Sequence, residues 1–304
     1  MSILTVGTVA FDDIETPFGR AEMVIGGAGT YIAWAASYLH DSVNLVSIVG
    51  GDFPKEELAM MNDRGIDTKG IEIVEDKNSF FWAGRYHDNM NSRDTLKTEL
   101  NVLADFDPVL PDTYQDDDIL MLGNLTPEIQ IKVMDQLVKK PKITVLDTMN
   151  FWMDIAMDSL KEAIGRVDIL TINDEEARQL SGEYSLVNAA KVIHEMGPKY
   201  LIVKKGEHGA LLFHDGNVFA APALPLAQVK DPTGAGDSFA GGLCGYLASC
   251  DTIGFEEVKT GIIYGSVMAS FCVEEFSLGK IKQLDQDVIK QRLQAFKNMT
   301  SFSI

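Results

Sequence analysis

The sequence predicts an α/β fold: a doubly wound, mostly parallel sheet with helices on both faces and a small β lid projecting from it. Three observations carry that expectation. Short, uninterrupted apolar runs rich in β-branched residues recur along the chain, and runs of this kind read as strands buried on both faces. Segments with helical spacing lie between them, and strand–helix alternation means βαβ units. Two stretches break the alternation with strand-like pieces and no good helix, and together they suit a second, smaller sheet.

Taken in order, SILTVGTVA (2–10) is the first strand. DDIETPFGRAEMVIGG (12–27) is β-rich and supplies the first lid segment, about 12–26. Thr30–Leu39 (TYIAWAASYL) has helical spacing, and VNLVSIVG (43–50) returns to the core sheet. Residues 71–106 hold β-rich pieces only, and give the second lid segment, about 71–103. DILMLG (118–123), ITVLDT (143–148), VDILTIN (167–173) and YLIVKKG (200–206) are further core strands. The clearest helices among them are Pro127–Lys139, Asp174–Leu180 and Leu186–Met196. LLFHDGNVFAAPA reads as a hairpin, and the C-terminal third is helical over 236–250, 255–273 and 284–297. With no repeat and no low-complexity linker, 1–304 reads as a single domain with the lid inserted in it.

The chain has 304 residues, 46% of them hydrophobic, and a formal charge of −19 from 26 basic and 45 acidic side chains. A field of that sign repels nucleic acid and anionic membrane surfaces, so neither is an expected partner. It also repels an anionic substrate unless the site supplies cations. Cys244, Cys250 and Cys272 are few and form no C-x-x-C pair, which suits free thiols in a reducing cytosol. The N-terminus lacks the basic start of a signal peptide, and no apolar run approaches the ~18 residues of a membrane helix. The expectation is a cytoplasmic, soluble protein.

DPTGAGDSFAGG (231–242) concentrates glycine just before an apolar helical segment. Thr233–Gly236 becomes the turn at a helix N-terminus, with Asp237 in the first turn. Unpaired backbone N–H groups and the helix dipole there suit an anion such as phosphate. A Walker A loop is absent, the third glycine of a dinucleotide loop is replaced by Phe239, and Gly236-Asp-Ser238-Phe-Ala240 only approaches a nucleophile elbow. All five histidines precede Ser238, whereas that hydrolase fold needs one after it. The bland alternative is a glycine-rich helix cap without chemistry.

This stretch resembles the C-terminal signature of the PfkB (ribokinase-like) family of sugar and nucleoside kinases. Other pieces agree along essentially the whole chain: Gly7-Thr-Val-Ala-Phe-Asp12, Gly26-Gly27-Ala-Gly29, Val49-Gly50-Gly51-Asp52, Thr171-Ile-Asn173-Asp-Glu-Glu176 and Val203-Lys204-Lys205-Gly206-Glu-His-Gly209. The resemblance implies a ribokinase-like fold and ATP-dependent phosphorylation of a hydroxymethyl group. It gives Asp237 the role of base and the amides of Gly234, Ala235 and Gly236 the developing phosphoryl charge. It places Asn173, Glu176, Lys204, Gly206, Gly209, Thr233 and Ser266 about the nucleotide, with Glu176 holding Mg²⁺ through water. Asn173 and Glu176 equally suit a helix-capping box, and Gly209 a hairpin turn. Asp231 and Thr233 match a monovalent-cation loop, so K⁺ is an expected cofactor beside ATP and Mg²⁺; an Asp-Pro turn is the alternative for Asp231.

On the acceptor side the resemblance implies Asp12, Gly26 and Gly27, with Asp13 as fallback. Tyr31 stands where ribokinase-type relatives carry a sugar-reading asparagine, which offers a stacking face or a buried helix aromatic. In FFWAGRYHDNMNSRD (80–94), Phe81, Trp82 and Tyr86 suit a base or apolar sugar face, while Arg85 and Arg93 suit a phosphate. The lid aromatics suit a homodimer just as well. The arginine of the family's D-x-N-x-R is missing from DTMNFW (147–152). The expected activity is a kinase of a neutral sugar or sugar derivative. A nucleoside kinase is the main alternative, followed by a phosphosugar kinase and a silent ligand binder.

Overall fold

A computed structural model describes residues 1–301. In chain order the elements are β1 (Ile3–Val6), β2 (Ala10–Thr16), β3 (Gly19–Gly26), α1 (Ala28–Ser37), β4 (Val43–Gly50), α2 (Lys55–Asp63), β5 (Ile66–Val74), β6 (Phe80–Tyr86) and β7 (Arg93–Glu99). Then come β8 (Ile119–Leu122), α3 (Pro127–Asp135), β9 (Ile143–Asp147), α4 (Asn150–Ile155), α5 (Met157–Ile164), β10 (Ile169–Asn173), α6 (Asp174–Ser181) and α7 (Leu186–His194). The chain closes with β11 (Tyr200–Lys204), β12 (Ala210–His214), β13 (Asn217–Ala221), α8 (Ala235–Leu247), α9 (Phe255–Cys272) and α10 (Gln286–Thr300).

Nine strands form one sheet in the order β13-β12-β11-β10-β9-β8-β1-β4-β5. Every pairing from β11 to β5 is parallel; β12 and β13 add antiparallel at one edge. Both faces are covered, and alternate residues of one strand go to opposite cores. Ile119 and Met121 pack with Tyr31, Phe239 and Phe271 on the α1/α8/α9 side. Leu120 and Leu122 pack with Val133, Leu160 and Ala177 on the α3/α5/α6 side. That two-sided burial is why the strands read as unbroken apolar runs.

From β1 the chain winds outward to β4 and β5, then returns to β8 on the other flank of β1 and winds away through β11. Open sheets of this kind bind ligands outside the carboxyl ends of strands near the reversal. Those ends here are Gly7-Thr8, Gly123, Asp147, Asn173 and Lys204.

A second sheet has the order β3-β2-β6-β7, with β2 and β6 parallel. Asp52 anchors the entry to β6, accepting from both the backbone N–H and the hydroxyl of Ser79 at 2.8 and 2.7 Å. The expected first strand therefore divides: β1 stops at Val6, and Ala10 already opens β2 of the small sheet. Gly7 fits between them because a Cβ there would lie 2.6 Å from the Gly29 nitrogen. Ile71–Val74, expected in the lid, instead pairs with Ser47–Gly50 in the large sheet. Helix α2 escaped the periodicity reading because Met61 is its one buried residue. Among the described residues, no helix is long and apolar enough to cross a membrane, and the three cysteines are free.

Candidate active site

Three parallel strands deliver charge to one edge of the large sheet. Asn173 and Lys204 are register partners at the ends of β10 and β11, and Asp147 ends β9 beside them. Lys204 Nζ lies 3.1 Å from Asp147 Oδ1, with both side chains largely buried. Burial works against the Lys204 charge, but Asp147, Glu176 and Asp237 outweigh it and hold its pKa above the usual lysine value. Asp147 is a residue that the sequence reading did not assign. Its signal was available: an aspartate closing a buried parallel strand at the ligand edge.

Asn173 caps α6. Its side chain accepts from the Glu176 N–H at 2.8 Å, and the Glu176 carboxylate accepts from the Asn173 N–H at 2.7 Å. The pair is thus a capping box. Burial pushes Glu176 up to about 7; Lys204 opposes that and Asp147 adds to it.

The glycine loop comes from α8. Gly234 is its N-cap, left-handed at φ 76° and without a side-chain cap. Asp231 is fully buried and holds the loop's base: Oδ1 accepts from the Thr233 N–H at 2.8 Å and Oδ2 from the Ser277 N–H at 3.0 Å. Burial raises its pKa, and among the described residues no cationic side chain pairs with it. Thr233 Oγ1 donates to the Tyr86 hydroxyl at 3.1 Å. One expectation changes: the Ala235 N–H donates to the Pro232 carbonyl at 3.2 Å, because the turn folds back on itself. The amides of Gly234, Gly236 and Asp237 have no backbone acceptor among the described residues. A Cβ on Gly236 would lie 3.1 Å from Lys204 Nζ, so the strand-end cation sits against the loop. Burial and Asp147 push the Asp237 carboxyl up to about 6, against the pull of Lys204 and Arg93.

On the other side, Asp12 is 4% exposed and packs on Gly26, where a Cβ would lie 1.9 Å from its Oδ2. Burial, then Asp231 and Asp237, push Asp12 up to about 8; the Gly27 N–H pulls the other way. Asp13 belongs to the opposite face and accepts from the Met23 N–H at 2.7 Å. Asp12 and Trp82 are register partners of β2 and β6, and Tyr86 and Arg93 of β6 and β7. Partners share a face, and alternate residues of β6 do too. Tyr86 reaches Thr233, so Asp12, Trp82, Tyr86 and Arg93 all look toward the glycine loop. The Arg93 guanidinium lies 5.7 Å from the Trp82 ring centroid.

The same parity turns Arg85 away: it pairs with Glu15 at 3.0 Å on the outer face, correcting its expected place beside the acceptor. Of the two expectations for Tyr31, the structure takes the buried helix aromatic. It is 1% exposed, and its ring lies beneath Gly234, so it offers the acceptor no stacking face. Gly206 (φ 53°) meets Asn91 of the β6–β7 turn, so the small sheet reaches across to the strand-end loop. Gly209 (φ 82°) lies against β13, where a Cβ would be 2.0 Å from the Ala221 carbonyl; it serves the hairpin. Ser266 gives its hydroxyl to Ile262 within α9 at 2.8 Å. Among the described residues, no group of three or more His, Cys, Asp or Glu side chains forms a preassembled metal cage.

Residues 5–283 match the model of the pfkB family of carbohydrate kinases. A cytidine kinase from Thermococcus kodakarensis is 31% identical over 270 residues, 85% of this chain and 95% of that one. A nucleoside kinase from Methanothermobacter thermautotrophicus is 28% identical over 304 residues, 90% of this chain and 89% of that one. Among solved structures, a protein described as a ribokinase II from E. coli, in complex with ATP and Mg²⁺, superposes with a TM-score of 0.78. It shares 17% identity, over 98% of this chain and 99% of that one.

Proposed function

The chain belongs to the pfkB family of carbohydrate kinases, ATP-dependent phosphotransferases with an alcohol acceptor, and on that premise we propose that it phosphorylates the hydroxymethyl group of a nucleoside. One observation carries the choice of acceptor: Trp82 stands in register with the buried Asp12, on the face turned to the glycine loop. The indole lies over Gly84 and donates to Thr95 Oγ1 at 3.3 Å, on the face that also carries Asp12; it suits a base stacked on that face, with the ribose hydroxyls left to Asp12. The relatives named cytidine kinase and nucleoside kinase support the same class. A free neutral sugar is the second reading, favoured by the Asp12–Gly26 contact, which reads hydroxyls and needs no base. A phosphosugar fits less well, since Arg85 is spent on Glu15.

In this reading Asp237 takes the proton of the attacking hydroxyl as the P–O bond forms. The transition state is loose, so positioning and charge neutralisation do most of the work. The amides of Gly236 and Asp237, with Lys204 alongside, meet the developing phosphoryl charge. Arg93 adds a second cation from the small sheet. Asp12 orients the acceptor, and Trp82 excludes water above it.

The donor set fits both expected metals. Glu176 keeps one carboxylate oxygen outside its capping bond, enough for a Mg²⁺ that retains most of its waters. Held there, Mg²⁺ would supply charge neutralisation for the ATP phosphates. Asp231 is buried and, among the described residues, has no cationic partner, which suits it to hold a K⁺ ion. We also infer that β7, an exposed edge strand, is where a second copy pairs, to be checked by sedimentation.

The test is ADP release from Mg-ATP against cytidine, uridine, adenosine, inosine, ribose, fructose and sugar phosphates, in KCl and in NaCl, with Asp237→Asn in parallel. Stimulation by a nucleoside in the wild type alone supports the proposal. Stimulation by a free sugar alone overturns the nucleoside assignment, and equal rates in both salts remove K⁺ from Asp231.

A further inference from the structure

We propose that Tyr31 is a positioning residue for phosphoryl transfer: its ring sets the height of the glycine loop. This rests on the reading of that loop as the phosphoryl site.

Gly234 is the point at which the chain enters α8, and it has no side chain to brace it. The residue before it is well tied. The Thr233 N–H donates to Asp231, its hydroxyl donates to Tyr86, and its carbonyl accepts from Cys272 Sγ at 3.3 Å. After it, the Ser238 N–H donates to the Gly234 carbonyl at 2.7 Å. Gly234 itself meets the Tyr31 ring. A Cβ built there would lie 2.5 Å from three separate ring carbons, which places the ring face flat beneath the backbone. The amides of Gly236 and Asp237, which have no backbone acceptor among the described residues, follow immediately, so any rise or fall of Gly234 carries them along.

The ring is mounted on a rigid base. Helix α1 begins with the N–H groups of Gly29 and Thr30 donating to the Thr8 carbonyl, and that of Ala28 donating to the Thr8 hydroxyl at 2.9 Å. The turn entering α1 is Gly26-Gly27, which packs on Asp12. Tyr31 therefore spans from the acceptor-side turn to the phosphoryl-side loop and fixes their separation. Phosphoryl transfer depends on that separation, because in-line attack tolerates little error in the distance between acceptor hydroxyl and anion hole.

The hydroxyl has a lesser part. It is buried among Cys272, Asp231, Asp12 and Ser277; among the described residues none makes a well-formed hydrogen bond with it, and the Ser277 side chain comes nearest to one. A hydrogen bond so poorly formed contributes little, so removing the hydroxyl leaves the ring, and the loop above it, in place.

The experiment compares wild type, Tyr31→Phe, Tyr31→Leu and Asp237→Asn with the acceptor selected above, reading kcat and both KM values and checking the fold by thermal melting. Tyr31→Leu is expected to lower kcat by about 100-fold, the cost of an error near 1 Å, with both KM values within about threefold. Tyr31→Phe is expected to keep kcat and melt no lower than wild type. If Tyr31→Leu does not fold, Tyr31→Met, which keeps bulk but removes the flat ring face, takes its place; the same kcat loss is expected. The proposal is overturned by a Leu variant with kcat near wild type, by a Phe variant as impaired as the Leu variant, or by a loss expressed in acceptor KM alone. Activity surviving in Asp237→Asn would instead overturn the reading of the loop.

Discussion

Three features act on the Asp237 carboxylate: a helix N-terminus beneath it, Lys204 beside it and the buried Asp147 behind it. The last of these and burial place its pKa at about 6. A base works only when ionised, so kcat/KM should fall as pH drops below about 6. Asp237→Asn should lower kcat by roughly 10²- to 10⁴-fold while calorimetry shows ATP binding unchanged; near-normal turnover would remove its role as base. The two lid arginines make a second residue-scale test. Arg93→Ala should lower kcat by about ten- to a hundredfold, the value of a charged hydrogen bond. Arg85→Ala should stay close to wild type, since its partner is Glu15 on the outer face. The reverse pattern would mean that the small sheet presents its other face.

At the scale of elements, the edge of the large sheet is a set of strand ends that each serve fold and site. The Asn173–Glu176 box closes α6 and leaves a carboxylate oxygen at the crevice. Gly209 shows the opposite case, a glycine inside a family-like stretch whose work is structural. Its φ of 82° and the Ala221 carbonyl against it exclude a side chain. Gly209→Ala should destabilise the protein by more than about 1 kcal/mol with KM for ATP unchanged once folded. A raised KM in a protein of unchanged melting temperature would return Gly209 to the nucleotide site. The small sheet meets the loop through Tyr86–Thr233 and the strand-end turn through Asn91–Gly206. The position of the small sheet and the shape of the glycine loop are thereby linked.

Across the whole molecule, Asp12, Asp231 and Asp237 come from distant parts of the chain and crowd one buried region of a protein already at −19. Asp12 is pushed up to about 8, whereas the unfolded chain ionises it near 4. Between those values the folded state holds more protons, so its stability falls as pH rises. Asp12→Asn removes the conflict. Its melting temperature should exceed that of the wild type at pH 8, with the gap closing toward pH 5, while saturation by the acceptor is lost. A gap of constant size would show that Asp12 ionises normally. Any bound cation would relieve the same crowding, so protein free of ligand and added metal is the state in which to measure it.

The sequence by itself determined the βαβ alternation, the separate small sheet and the glycine loop with Asp237 behind it. These are local: a strand buried on both faces must be apolar throughout, and a turn needing φ above zero takes glycine. It left open every question of which face a side chain takes and what comes to meet it. Arg85 and Arg93 are equivalent in a string of letters, and only the pairing of Tyr86 with Thr233 assigns their faces. Tyr31 suited a ligand platform or a buried helix aromatic until the fold laid Gly234 over its ring. Asp147 was one aspartate among many until β9, β10 and β11 aligned and set Lys204 beside it. Electrostatics and close packing act between residues far apart in the chain, and tertiary structure alone fixes those distances.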